Sequence, residues 1–251
     1  MKRYFLFPLL LALSHMAFGL SHVVEDSERQ RSIPVEIYEP QRVCSTDNQC
    51  PVAIINPGYR VTHTGYVFLA DVLNELGFLV VAVRHELSGD PVLSREGNLY
   101  QTRRENWVRG AKNLRVVIQD LGSRLPGADF RQVTLIGHSN GGDIASWYVK
   151  EKGDGVITLI TLDHRRVPLP RAKDIAVLSI RADDFVADKG VLPDQSEQQQ
   201  YGDCVVKIPD SRHNDMSDDG PEWLHQKVRD VLRSYLQKNA RCDMLKSIVT
   251  G

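Results

Sequence analysis

Val133-Thr134-Leu135-Ile136-Gly137-His138-Ser139-Asn140-Gly141-Gly142 is the stretch on which the fold turns. Its first four residues are all β-branched or aliphatic, the composition of a strand covered on both faces. A G-x-S-x-G pattern follows at Gly137, Ser139 and Gly141, and an apolar stretch of helical character comes next. A tight turn from strand to helix forces its middle residue into an unusual backbone conformation. The residues two positions to either side must then lack bulk, which Gly137 and Gly141 satisfy. Ser139 would stand at a helix N-terminus, where free N–H groups and the helix dipole favour developing negative charge.

Working outward, short β-branched runs alternate with longer segments of helical period. The runs are residues 52–55, 78–83, 133–136, 156–160, 175–180 and 205–208, with residues 35–38 as an extra edge strand at the start. Between them, Leu69, Val72, Leu73 and Leu76 share one helical face. Trp107, Ala111, Leu114, Ile118 and Leu121 share another, and Leu224, Val228, Val231 and Tyr235 a third behind Pro221. Parallel neighbours need crossover connections, so this alternation predicts an α/β fold: a doubly wound, mostly parallel sheet with helices on both faces. Ligands in such folds bind at the carboxyl ends of the strands.

The chain has 251 residues, 42% hydrophobic and 25% charged. That is enough apolar material for one sizeable core and too much for a disordered chain. Lys and Arg number 31 against 32 Asp and Glu, which leaves no electrostatic footprint for nucleic acid. Lys2 and Arg3 precede an apolar run over residues 4–13, and Ala17-Phe18-Gly19 offers small residues for cleavage. Residues 1–19 therefore read as a secretory signal peptide cut before Leu20, leaving a domain over 20–251 in the periplasm or outside the cell. The run falls well short of the roughly 20 residues a spanning helix needs, and no later stretch is long and apolar enough, so no stable membrane insertion is expected. In an oxidising compartment, four cysteines suggest two bridges. Cys44 with Cys50 would close a small polar loop. Cys204 would start the last strand at the bottom of the sheet, and the helix after Pro221 would run back down to deliver Cys242 there.

A serine hydroxyl needs a base, and the base needs a carboxylate to orient it. His213 lies between the last strand and the last helix and is the base expected. His138 is held in the turn itself, and His225 falls inside the helix. For the acid, Asp183 and Asp184 follow the run 175–180, and Asp163 follows the run 156–160; a carboxylate at either strand end can reach the imidazole. Oxyanion donors are expected from the backbone N–H of Asn140, just after the serine, and of Tyr59, in Asn56-Pro57-Gly58-Tyr59-Arg60 after an early strand.

These motifs, in this order and spanning nearly the whole mature chain, resemble the α/β-hydrolase superfamily. Residues 137–142 resemble its nucleophile elbow. Residues 56–59 take the place of its oxyanion segment, with Pro57 where His is usual. Arg181-Ala182-Asp183-Asp184-Phe185-Val186 resembles its acid loop, close to G-x-x-D-x-x-V, with Arg181 in place of Gly. That match favours Asp184 over Asp163 and Asp183. The resemblance implies acyl-transfer chemistry by Ser139, Asp184 and His213. The function expected is an exported serine hydrolase cleaving a small carboxylic ester. A peptidase or amidase on the same triad, or a binding protein that keeps the fold without the reaction, are the alternatives.

The short gap between the runs 156–160 and 175–180 leaves no room for a large lid domain. The long polar connection from Val83 to Trp107 leaves the catalytic edge of the sheet and is either one wall of the pocket or a wandering surface loop. Arg60, Arg84, Arg165, Arg166, Arg181 and Arg212 all lie near strand carboxyl ends, where they can attract an anionic group. Acids lie equally close, at Glu86, Asp163, Asp183 and Asp210, so mutual pairing is the plainer reading. His213, Asn214, Asp215, Asp218 and Asp219 have no recognised metal spacing and read as a polar loop capping the last helix. No metal or cofactor is expected.

Overall fold

The computed structural model describes residues 19–238 and 240–250. Except for Gly19, the leader read in residues 1–19 lies outside them. Eight strands form one sheet: β1 (Gly19–Asp26), β2 (Arg31–Tyr38), β3 (Cys50–Asn56), β4 (Leu79–Val83), β5 (Ala128–His138), β6 (Val156–Leu162), β7 (Ala176–Arg181) and β8 (Cys204–Lys207). Their order is β1-β2-β4-β3-β5-β6-β7-β8. The pairs β1–β2 and β2–β4 are antiparallel, and the others are parallel. The helices are α1 (Val67–Glu75), α2 (Leu99–Thr102), α3 (Arg104–Arg124), α4 (Asn140–Lys150), α5 (Gln195–Tyr201), α6 (Glu222–Lys238) and α7 (Cys242–Thr250).

Strand alternation explains why the central runs are apolar at nearly every position. Val52 and Ile54 of β3, Val81 and Val83 of β4 and Leu135 of β5 point into one core, completed by Trp107, Leu114 and Leu121 of α3 and Ile144 and Trp147 of α4. Ala53, Ile55, Val80 and Ile136 point the other way, onto Leu69, Val72 and Leu73 of α1, Leu224, Val228 and Val231 of α6 and Leu245 of α7. Each strand thus serves two cores, and the doubly wound, mostly parallel arrangement read from the sequence is the one observed.

β1 has no counterpart among the runs read from the sequence. It pairs only with β2, and most of its residues are exposed, so it lacks an apolar run to mark it. The segment between β6 and β7 holds no helix or strand, so no large lid covers the sheet there. Cys44 is bonded to Cys50 and Cys204 to Cys242. Cys50 and Cys204 open β3 and β8, which places both bridges at the amino end of the parallel strands. Among the described residues, no helix is long and apolar enough to cross a membrane.

Candidate functional site

The turn from β5 into α4 explains both glycines of the pattern. Ser139 precedes α4 with φ 52° and ψ −121°, a left-handed conformation that L-residues rarely adopt. A Cβ on Gly137 would lie 2.4 Å from the Gly141 carbonyl oxygen, and one on Gly141 would lie 2.1 Å from that of Asn56. Neither distance is possible for real atoms, so the elbow closes only with glycine at both positions. The strain at Ser139 is held by its surroundings: its N–H donates to the Leu162 carbonyl (2.9 Å), and its carbonyl accepts from the Asp143 N–H (3.1 Å).

His213 opens a 3₁₀ turn (His213–Asp215) between β8 and α6. Its Nε2 lies 2.8 Å from Ser139 Oγ, and its Nδ1 lies 2.5 Å from Asp163 Oδ2. Asp163 is completely buried just past β6, with φ 50°. Its other oxygen accepts the Ala182 N–H (3.2 Å) and sits 2.6 Å from the buried Arg181 guanidinium. Burial pushes the Asp163 carboxyl up. The His213 hydrogen bond and the Arg181 charge outweigh that push and hold its pKa below the ordinary carboxylate value.

The structure brings Ser139 and His213 together but puts Asp163, not Asp184, on the imidazole. Asp184 instead accepts the backbone N–H of His213 (2.7 Å). Asp183 lies further out, accepting the Asp210 N–H (3.3 Å) and pairing with Lys207. Both therefore brace the loop that carries the histidine. The physical reason lies at Arg181, where the matching motif has glycine. In the register of β6 with β7, Leu162 sits beside Ile180, so the next residues, Asp163 and Arg181, meet at the strand ends. A buried guanidinium requires an anion, and Asp163 is the anion within reach. That an arginine ends a run polar elsewhere only at Ser179 is the available signal.

A second set of contacts ties the site's loops together. His138 Nε2–H donates to the His213 carbonyl (2.9 Å), so its Nδ1 accepts from Tyr66 Oη–H (2.8 Å), and Tyr66 Oη accepts the Gly58 N–H (2.9 Å). The elbow, the histidine loop and the segment after β3 thus share one hydrogen-bond chain. It needs a neutral imidazole, and burial lowers the His138 pKa to about 3. Sequence reasoning set His138 aside as a base and found no role for it.

Asn140 heads α4, where the first N–H groups have no carbonyl four residues back. Its side chain is fixed by Trp107 Nε1–H (3.0 Å), Asn106 (2.8 Å) and Glu86 (3.3 Å). Tyr59 lines the same hollow as Ser139, Asn140 and His213, and its hydroxyl accepts the Leu93 N–H (3.1 Å). Leu93, Arg95 and Arg103, from the long connection after β4, also line this hollow, so that connection does form a wall. Asp218 does not cap the last helix as expected from the sequence. Its two carboxylate oxygens accept the Val67 and Phe68 N–H groups (2.8 and 3.0 Å) at the start of α1. Among the described residues, no three His, Cys, Asp or Glu side chains group to hold a metal ion.

No protein-family model matches the sequence, and no curated protein matches it. Several solved structures share its architecture. A ferulic acid esterase from Streptomyces cinnamoneus superposes with a TM-score of 0.59 at 19% identity, over 87% of this chain and 86% of that one. Est1E from Butyrivibrio proteoclasticus gives 0.59 at 16% identity, over 86% and 98%. A dienelactone hydrolase from Anabaena variabilis gives 0.57 at 15% identity, over 88% and 99%. The chain has the α/β-hydrolase fold.

Proposed function

We propose that the protein is an exported serine hydrolase that cleaves a small carboxylic ester through an acyl-enzyme on Ser139. The observation that carries this reading is the unbroken hydrogen-bonded line from Ser139 Oγ through both nitrogens of His213 to buried Asp163. A serine held at a strained elbow and backed by imidazole and carboxylate is built for nucleophilic attack. Ser139 Oγ attacks the carbonyl carbon while His213 Nε2 takes its proton, and Asp163 keeps the other ring nitrogen protonated and aligned. The oxyanion develops against the N–H groups of Asn140 and Tyr59. Collapse expels the alcohol, protonated by His213. Water then repeats the sequence and frees the acid.

Esters are favoured because alkoxides leave more readily than amines. The esterases among the structural neighbours support the same choice. Export is supported by the leader-like N-terminus and by two disulfides. A fluorophosphonate probe tests the proposal. It should attach to Ser139 in the native protein and leave Ser139→Ala unmarked. A folded native protein that resists the probe and turns over no ester in a graded acyl panel would refute the reading.

A further inference from the structure

We infer that the ester carries a second, anionic oxygen group, a carboxylate or a phosphate, held by the arginines around the hollow above Ser139. This inference rests on the hydrolase reading and specifies the substrate class for the same site.

The hollow measures about 210 Å³, and Arg95, Arg103, Arg165 and Arg166 line it together with Ser139 and His213. The first two come from the connection after β4 and the last two from the segment after Asp163. Elsewhere, arginines commonly have a carboxylate in contact: Arg31 with Asp90 (2.7 Å), Arg229 with Glu222 (2.6 Å), Arg233 with Glu75 (2.7 Å). Around the hollow this matching fails. Among the described residues only Arg166 has such a partner, Asp188, which is itself 44% exposed.

Arg103 gives its Nε–H to the Ser94 carbonyl (2.8 Å), Arg165 lies over the Phe185 ring (4.3 Å to its centre), and Arg95 is exposed. The acid lining the hollow is Asp143. One of its oxygens is already taken up by the N–H groups of Arg166 and Val167 (2.8 and 2.9 Å), and burial pushes its pKa up to about 6. Burial lowers the pKa of Arg103 and of Arg165, and the neighbouring Arg166 charge adds to it.

A guanidinium does not shed its proton at working pH, so relief of this crowding has to come from an anion. Its planar fork matches the oxygens of a carboxylate or a phosphate. At about 30 Å³ per water, the hollow holds roughly seven water-sized volumes. That is room for a short chain ending in charge.

The test compares three methyl esters of similar shape by pH-stat: methyl hydrogen succinate, methyl 3-phosphonopropanoate and the uncharged methyl 4-oxopentanoate. The expected result is a kcat/KM about tenfold or more higher for at least one anionic ester, as one charge-assisted contact would give. The first two arms tell carboxylate from phosphate. The advantage should shrink as ionic strength rises from about 0.01 M to about 1 M, because the screening length falls about tenfold. Arg165→Gln should cut the anionic-to-neutral ratio several-fold, and Arg165→Glu should invert it. If these variants fold poorly, Arg95→Gln at the exposed rim should lower the same ratio by a smaller factor. Equal turnover of all three esters by a probe-reactive protein overturns the inference and leaves the hydrolase reading standing. A Ser139 that neither takes the probe nor turns over any ester removes both.

Discussion

The two ends of the parallel strands are built on opposite terms. At the amino end the chain is pinned covalently, Cys50 at the start of β3 to Cys44 and Cys204 at the start of β8 to Cys242. At the carboxyl end, Ser139 and Asp163 sit at positive φ, a carboxylate is sealed from water, and an imidazole is kept neutral by burial. Strain of this kind persists only where surrounding contacts over-determine it. The comparison separates rigidity from reactivity: substitutions at one end should move stability, and at the other end turnover.

The sharpest way to break that separation is at the acid. Asp163→Asn should lower kcat by about 10³- to 10⁴-fold, because the ring loses the partner that fixes its tautomer. Asp184→Asn keeps a carbonyl oxygen for the His213 N–H and should cost less than about tenfold. Steady-state kinetics on any accepted ester check both, and equal losses would erase the distinction between the two aspartates.

At the other end, replacing Cys204 and Cys242 by serine opens a loop of 38 residues. The chain-entropy relation gives a loss of about 4 kcal/mol, or a Tm lower by about 10 °C. Opening the six-residue separation of Cys44 and Cys50 should cost about 2 kcal/mol. In both variants kcat/KM at 25 °C should stay within about twofold of the native value. A bridge whose loss abolished turnover in a folded protein would show that the two ends are coupled.

The smallest effect is on acid stability. Burial holds the pKa values of His85, His138 and His164 down to about 3. As pH falls below about 6.5, the unfolded chain binds protons at these positions and the folded chain does not. Each histidine then costs about 1 kcal/mol of stability per pH unit. Burial raises Asp143 and Asp203 to about 6, so below that pH the folded chain gains two protons first and recovers part of the loss. Over these five groups the balance is one proton, a net loss of about 1 kcal/mol per pH unit between about pH 6 and pH 4. Tm should therefore fall by about 5 °C from pH 6.5 to pH 5. Asp203→Asn should steepen the decline, and a Tm unchanged or rising over that range would contradict the assigned burial of the three histidines.

Much of this was legible because strands covered on both faces and amphipathic helices leave strong periodic marks. The elbow was legible because its geometry excludes every residue but glycine at two positions. β1 was not, since an exposed edge hairpin needs no apolar run. A local motif speaks for Asp184, while the structure puts Asp163 on the His213 ring, a placement set by its contact with Arg181 across neighbouring strands. Arg95 and Arg103 went unnoticed because they reach the hollow from a loop whose course no periodicity describes. The role of His138 depends on a hydroxyl 72 positions away.

The contact between Asp218 and the first turn of α1 has one more consequence. The stretch bearing His213 also supplies the anchor for a helix made much earlier in the chain. A nascent polypeptide that ends before residue 213 therefore lacks both the anchor and His213. On the proposed mechanism the protein would emerge inert and gain hydrolytic competence only late in maturation, so onset of turnover during refolding would report completion rather than collapse.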